Sequence, residues 1–278
     1  MNVNRYTLCI IGSGRAGQSF ATAFQEVGHE VFGPFKRDFI SDPLFFSAIQ
    51  KSNAIIFAVN DSNIGFVADE VYELLKNPES DLNSFNPDSG NSNTVVSKAK
   101  HITPVAIHLS GSKTLDIFSN FENRASIHPL APLPDSKVGS ARLLSKISFT
   151  VAGDKIAYDL VESLGGKVLT VDDEKRAFYH ATCSVASNFL VGLMGQVEKM
   201  ANEIGLDLND FVKLCEFSLE DVKNIGVKKA LTGPVVRKDY LTLKNQRQAI
   251  EQINPEDLSY FDSTIKILKE IAESTQRS

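Results

Sequence analysis

Cysteine is scarce in this sequence, and the three present (Cys9, Cys183 and Cys215) are far apart, odd in number and without metal-ligand spacing. That excludes a disulfide framework and a metal centre built on thiolates, and it predicts reduced, mostly buried thiols in a cytoplasmic protein. Positive charge is not in excess either: 29 Lys and Arg stand against 34 Asp and Glu, for a net charge of −5. Nucleic acid and anionic membranes are therefore not expected as partners, and any anionic ligand must be held by local groups. The polar start Met1–Thr7 leads into an apolar stretch of only about five residues, too short for a signal or a membrane span. No internal repeat is visible. What is present is ordinary for a folded chain, with 42% hydrophobic and 23% charged residues. At 278 residues the chain exceeds the usual single-domain size, so two domains are expected.

The character of the sequence changes near residue 172. Before it, short β-rich apolar runs alternate with helical or turn-rich segments: Thr7–Ile11, Glu30–Phe32, Ala54–Val59, Pro104–Leu109, Ala125–His128, Ser148–Ala152 and Lys167–Thr170. Such alternation predicts an α/β domain over 1–172 with a doubly wound, mostly parallel sheet. After it, the pattern predicts an all-helical domain over 173–278. Asp173–Ile204 reads as one long helix stopped by Gly205, followed by helical patterns at Leu208–Ser218 and Glu256–Glu273. Residues 77–98 are rich in Asn, Ser, Asp and Pro and read as a polar surface insertion.

The most specific local signal follows the first strand. Tyr6–Ile11 runs directly into Gly12-Ser13-Gly14-Arg15-Ala16-Gly17 and then into a helical pattern ending at Val27-Gly28. In a strand, G-x-G-x-x-G, helix arrangement, Gly12 makes the tight turn, Gly14 admits the pyrophosphate to the backbone, and Gly17 lets the helix approach the strand. The phosphates rest on the helix N-terminus. A methyltransferase turn is the main rival, and the tight glycine-to-helix spacing disfavours it. An NAD site would place an acidic residue at the end of the second strand, about 20 residues after the motif. Here Lys36 and Arg37 precede Asp38. The two cations suit the 2′-phosphate of NADP, which guanidinium binds bidentately; a solvated turn in which Asp38 takes the NAD role is the alternative.

Several segments together resemble one family: Rossmann-like proteins with a helical domain of unknown function, grouped with deazaflavin-dependent NADP oxidoreductase-like and 6-phosphogluconate-dehydrogenase-like proteins. The carriers are Gly12–Gly17, Ala58–Ile64, His108–Gly111, Ser126–Pro129, Tyr179–Asn188 and Ala230–Arg237. The layout is also similar, more distantly, to pyrroline-5-carboxylate reductase, ketopantoate reductase and the β-hydroxyacid dehydrogenases. The resemblance implies NADP-linked redox chemistry and a helical domain that often dimerises. Departures are specific. Where β-hydroxyacid dehydrogenases place a catalytic lysine four residues before Asn or Asp, this chain has Lys175 followed by Tyr179 and His180. Arg237 leads into Lys238-Asp239 rather than Gly-Asp, and a family histidine is replaced by Asn245.

Rossmann sheets bind ligands beyond the carboxyl ends of their strands, which makes Val59-Asn60-Asp61, His108–Gly111 and His128-Pro129 candidates for the nicotinamide side. His108 and His128 are candidate acids, bases or donors, and Ser110 a candidate for orienting substrate; buried histidines satisfying backbone groups are the bland alternative. On the long helix His180, Ser184 and Asn188 recur every four residues as a polar stripe. That stripe either meets partners at an interface or faces the cleft, with His180 as the first choice of proton donor, Lys175 beside it and Asn188 orienting substrate. Thr232-Gly233-Pro234 makes a turn, and Arg237 after it could meet an acidic substrate or simply lie on the surface. The reading is an NADP(H)-dependent oxidoreductase acting on a small carbonyl, imine or hydroxy compound, as a homodimer through the helical domain. A nicotinamide-nucleotide sensor that binds without turnover is the alternative, and a structural homodimer with a vestigial site the third.

Overall fold

The computed structural model describes residues 4–36, 38, 44–76 and 103–274. The expected insertion over 77–98 and Arg37 lie outside the described residues. Two compact units emerge, Met1–Ser184 and Val185–Ser278.

The first unit is a seven-stranded sheet. Its strands are β1 (Thr7–Ile11), β2 (Glu30–Phe35), β3 (Ala54–Phe57), β4 (Val105–His108), β5 (Arg124–Pro129), β6 (Ser148–Gly153) and β7 (Lys167–Leu169), in the spatial order β2-β1-β3-β4-β5-β6-β7. All neighbours are parallel except β5 and β6. The order reverses between β1 and β3, which opens a ligand crevice at their carboxyl ends. Helices α1 (Arg15–Glu26), α2 (Phe45–Lys51), α3 (Ile64–Lys76), α4 (Ser136–Leu143) and α5 (Lys155–Ser163) cover the sheet, and α6 (Arg176–Ala186) follows, its last two residues falling in the second unit.

Because side chains alternate across a strand, β1 feeds two cores. Leu8 and Ile10 pack with Phe20, Phe24, Phe149 and Leu160 on one face, while Cys9 and Ile11 pack with Phe45, Ile49, Phe57 and Phe118 on the other. Burying both faces is what makes the strands read as continuous apolar runs. Cys9 is fully buried, which pushes its thiol pKa up, whereas Cys183 and Cys215 are only half-buried.

The second unit is helical: α7 (Asn188–Glu203), α8 (Leu208–Ile225), α9 (Val227–Ala230), α10 (Tyr240–Ile253) and α11 (Leu258–Glu273). Gly205 follows α7 at φ +72°, and Asp207 caps α8 in a reciprocal box with Asp210. One expectation fails. The long helix expected over Asp173–Ile204 is three elements, a 3₁₀ turn at Asp173–Lys175, then α6, then α7. Ser187 sits between the helices at φ −121° and ψ −70°, flanked by Ser184 and Asn188, residue types that favour breaks in a helix. The polar stripe His180, Ser184, Asn188 therefore does not run along one helix, and Asn188 is exposed at the start of α7.

Candidate functional site

Two neighbouring groups of residues lie at the carboxyl ends of the strands. The first is the turn from β1 to α1. Gly12 adopts φ +111°, and a side-chain carbon there would lie 2.3 Å from the Ala58 carbonyl oxygen. At Gly17 it would lie 1.8 Å from the Gly12 carbonyl oxygen, so the helix can start this close to the strand only with glycine at both places. Gly14, the N-cap of α1, faces open space, with nothing among the described residues within 4 Å of an added side-chain carbon. No side chain caps the helix, and its first turn carries no acidic residue. The leading amides of Arg15, Ala16 and Gly17 therefore stay available to an anion.

This turn opens on a cleft of about 630 Å³ lined by Gly12–Gly14, Lys36, Asp38, Val59, Asn60 and Phe66, with Glu70 also on its wall. An open glycine cradle beneath an uncapped helix start fits the pyrophosphate of a dinucleotide. Lys36 and Asp38 both line the cleft, and Arg37 between them lies outside the described residues.

The second group joins β3, β4, β5 and α6. Asp61 follows the cleft residue Asn60, and its carboxylate accepts hydrogen bonds from Ser110 Oγ at 2.6 Å and Ser112 Oγ at 3.0 Å. Ser110 Oγ also accepts from the amides of Ser112 and Lys113, each at 3.2 Å. With its proton given to Asp61 and its lone pairs engaged, Ser110 shapes the loop after β4 and has little left to orient a substrate, contrary to expectation.

His108 has no accessible surface and lies against Phe118 with ring centroids 5.5 Å apart. Neither ring nitrogen finds a well-formed hydrogen bond among the described residues, although the Thr114 backbone weakly favours the charged form. Burial, then the nearby Arg176 guanidinium, lowers its pKa to about 4. His108 is thus a neutral core histidine rather than the donor expected at the cleft. His128 differs. It is only partly buried, its Nδ1 lies 2.8 Å from the Tyr179 hydroxyl, and its ring stands 6.0 Å from that of the half-exposed His180. Burial, followed by His180, lowers its pKa to about 4 against an opposing pull from Asp61.

The cation at this cluster is Arg176, not Lys175. Lys175 points outward, 73% exposed, and pairs with Asp172 at 2.9 Å. Arg176 is 3% exposed and makes three bonds: Nε to Asp173 at 2.9 Å, one terminal nitrogen to the Lys113 carbonyl at 3.0 Å, and the other to Ser126 Oγ at 2.8 Å. It pins α6 to β5 and to the loop after β4. In sequence Arg176 looks like one more charge in a solvated Asp-Asp-Glu-Lys-Arg run, and no signal there separates it from its neighbours. Tyr179 and Thr150 also belong to this cluster. The antiparallel register that sets His128 opposite Thr150 brings them together. Thr232 and Arg237 are exposed on the second unit, as is Asn188. Among the described residues, no group of three or more His, Cys, Asp or Glu could hold a metal ion, and no helix is long and apolar enough to cross a membrane.

The first unit is a Rossmann-type α/β sheet, and a helical unit follows it. Comparison with known proteins extends this. Residues 148–266 match the model of a domain of unknown function, DUF2520. No curated protein matches the chain. Among solved structures, the chain is similar to a protein from Thermotoga maritima at 23% identity, covering 97% of this chain and 100% of that one with a TM-score of 0.66. It is also similar to a reductive aminase from Aspergillus terreus in complex with NADPH and ethyl levulinate, at 15% identity, 95% and 93% coverage and a TM-score of 0.60. A third is the pyrroline carboxylate reductase of Plasmodium falciparum with NADP bound, at 13% identity, 96% and 98% coverage and a TM-score of 0.55. At these identities the likeness establishes the fold.

Proposed function

We propose that this chain is an NADP(H)-dependent oxidoreductase acting on a small carbonyl, imine or hydroxy compound, working as a homodimer through its helical unit. The observation that carries the reading is a continuity of chain: Val59 and Asn60 line the nucleotide cleft, and the next residue, Asp61, holds the polar cluster of Ser110 and Ser112. A dinucleotide cradle and a polar cluster thus share one edge of the sheet. Gly12, Ser13 and Gly14, with the amides of Arg15, Ala16 and Gly17, would hold the pyrophosphate, and Lys36 with Arg37 the 2′-phosphate. A reduced nicotinamide supplies the hydride when bound. The protein's part is to hold the substrate oxygen or nitrogen with His128 and to pass the accompanying proton through His180, which is open to solvent.

The dimer reading draws on exposure. In the second unit Phe189 is 66% exposed, Val191 72%, Leu214 62% and Phe217 52%. Only Ala201, Val235 and Asn254 are buried among its described residues. A helical unit that leaves such side chains in water has a surplus that a second copy would bury across a two-fold axis. Light scattering at micromolar concentration is expected to give twice the chain mass, and a monomer would overturn this part.

Mass spectrometry of small molecules released from freshly purified protein, with calorimetry of NADPH and NADH, tests the core of the reading. NADPH is expected to bind more tightly. Arg37→Ala should weaken NADPH by about 1.5–3 kcal/mol, or roughly tenfold to hundredfold, and leave NADH nearly unchanged. Equal loss for both, or preference for NADH, overturns the cofactor assignment. Once a substrate is found, His180→Ala is expected to lower turnover by about 10²–10⁴-fold with NADPH binding intact. Tight NADPH binding without turnover of any carbonyl, imine or hydroxy compound would instead favour a sensor.

A further inference from the structure

Tyr179 lies where α6 passes the antiparallel pair β5 and β6. Its hydroxyl accepts a hydrogen bond from Thr150 Oγ1 at 3.2 Å and stands 2.8 Å from His128 Nδ1, with the Cys183 thiol also interacting. A phenol has one proton to give. With Thr150 donating to the phenol oxygen, two acceptors are within reach of that proton, His128 Nδ1 and the Cys183 sulfur, and an imidazole nitrogen is the stronger of the two. Burial favours the protonated phenol, so Tyr179 remains a donor. A neutral imidazole that accepts at Nδ1 carries its hydrogen on Nε2.

Gly111 decides what Nε2 meets. A side-chain carbon at Gly111 would lie 2.8 Å from His128 Nε2, 2.9 Å from His128 Cε1 and 2.9 Å from His180 Cδ2. Only glycine fits against this nitrogen and His180, since any side chain there would strike both rings.

We infer that Tyr179 is a positioning residue that fixes His128 in the Nε2–H tautomer, and that this N–H is a neutral donor for a carbonyl or hydroxyl oxygen of the substrate. The second half rests on the oxidoreductase reading; the first does not. A protonated iminium carries no lone pair on nitrogen. It would set N–H against N–H, with the buried Arg176 guanidinium also acting on His128. The carboxylate at this cluster, Asp61, already accepts from Ser110 and Ser112, and Asp173 already pairs with Arg176. The narrower substrate class is therefore an oxygen acceptor, with the ring polarising that oxygen while keeping its own proton.

Long-range proton–nitrogen spectra of labelled protein at pH 7 test the tautomer with no ligand, the His128 signals being assigned by their loss in His128→Gln. The expected wild-type result is one neutral form, with a bare-nitrogen shift at Nδ1 and a protonated-nitrogen shift at Nε2. Tyr179→Phe should move His128 to a mixture or to the Nδ1–H form while the His29 signals stay in place. An Nδ1–H tautomer in the wild type overturns the inference, and that spectrum decides even if Tyr179→Phe does not fold. Retention of pure Nε2–H in a folded Tyr179→Phe removes the role of Tyr179. For the acceptor, ketones and aldehydes should be turned over with NADPH in preference to preformed cyclic iminium compounds. The reverse preference overturns the oxygen assignment. Turnover of neither removes that assignment together with the oxidoreductase reading, while the tautomer still stands or falls on the spectrum.

Discussion

The sheet unit and the helical unit spend their apolar residues differently. In the first, the large side chains of β1, β3, α1 and α2 disappear into two cores, one on each face of the sheet. In the second, Phe189, Phe217 and Leu214 remain largely in water. A doubly covered sheet satisfies itself, whereas helices with apolar residues on more than one side need another surface. The contrast teaches that similar composition can describe a finished core in one region and an unfinished interface in another.

The largest expected effect breaks this comparison directly. Phe57 is fully buried among Phe118 and Phe121, and Phe57→Ala should cost about 3–5 kcal/mol of stability by leaving a cavity. Phe217→Ala, at an exposed position, should change chain stability much less and act mainly on self-association. Urea denaturation beside light scattering reads both, and equal destabilisation in the two variants would erase the distinction between the units.

Acid should act unevenly as well. All five histidines belong to the first unit. His108 and His128 take up protons near pH 6.5 when unfolded and only near pH 4 when folded, so the unfolded chain binds more protons between these values. Their contribution is complete above pH 6.5 and is lost as the pH falls toward 4, by about 3 kcal/mol per ring. His29, lowered by burial between Tyr6 and Phe24, adds to the same trend. Stability measured in urea should therefore drop between pH 7 and pH 4.5, less steeply in His128→Gln; a flat profile would show that these rings titrate normally.

The smallest effect concerns a residue that sequence alone made prominent. Lys175 and Asp172 form an exposed pair, so Lys175→Ala should shift stability by less than about 1 kcal/mol. Arg176→Ala, one residue on, should cost several times more, because it leaves Ser126 and the Lys113 carbonyl without their buried partner. Comparable melting of the two variants would deny Arg176 its pinning role.

These pairs also mark what the sequence determined. Local rules of backbone chemistry reached all seven strands to within a few residues, the glycine turn, the start of α1 and the helical character of the second unit. Each depends on residues close together in the chain. Lys36, Asp38, Val59 and Asn60 line the cleft because they follow strands whose carboxyl ends point the same way. The break at Ser187 escaped, because weak competition from short polar side chains yields to a strong helical pattern in any linear reading. The division of labour within the polar cluster was decided by tertiary structure alone. His108 and His128 are equivalent in sequence, each ending a strand, yet packing against Phe118 buries one and the register opposite Thr150 gives the other a tyrosine partner. Lys175 and Arg176 are adjacent charges, and the turn of the chain at the start of α6 sends one to water and the other under the sheet edge. Burial and strand register are sums over distant residues, and no short segment contains them.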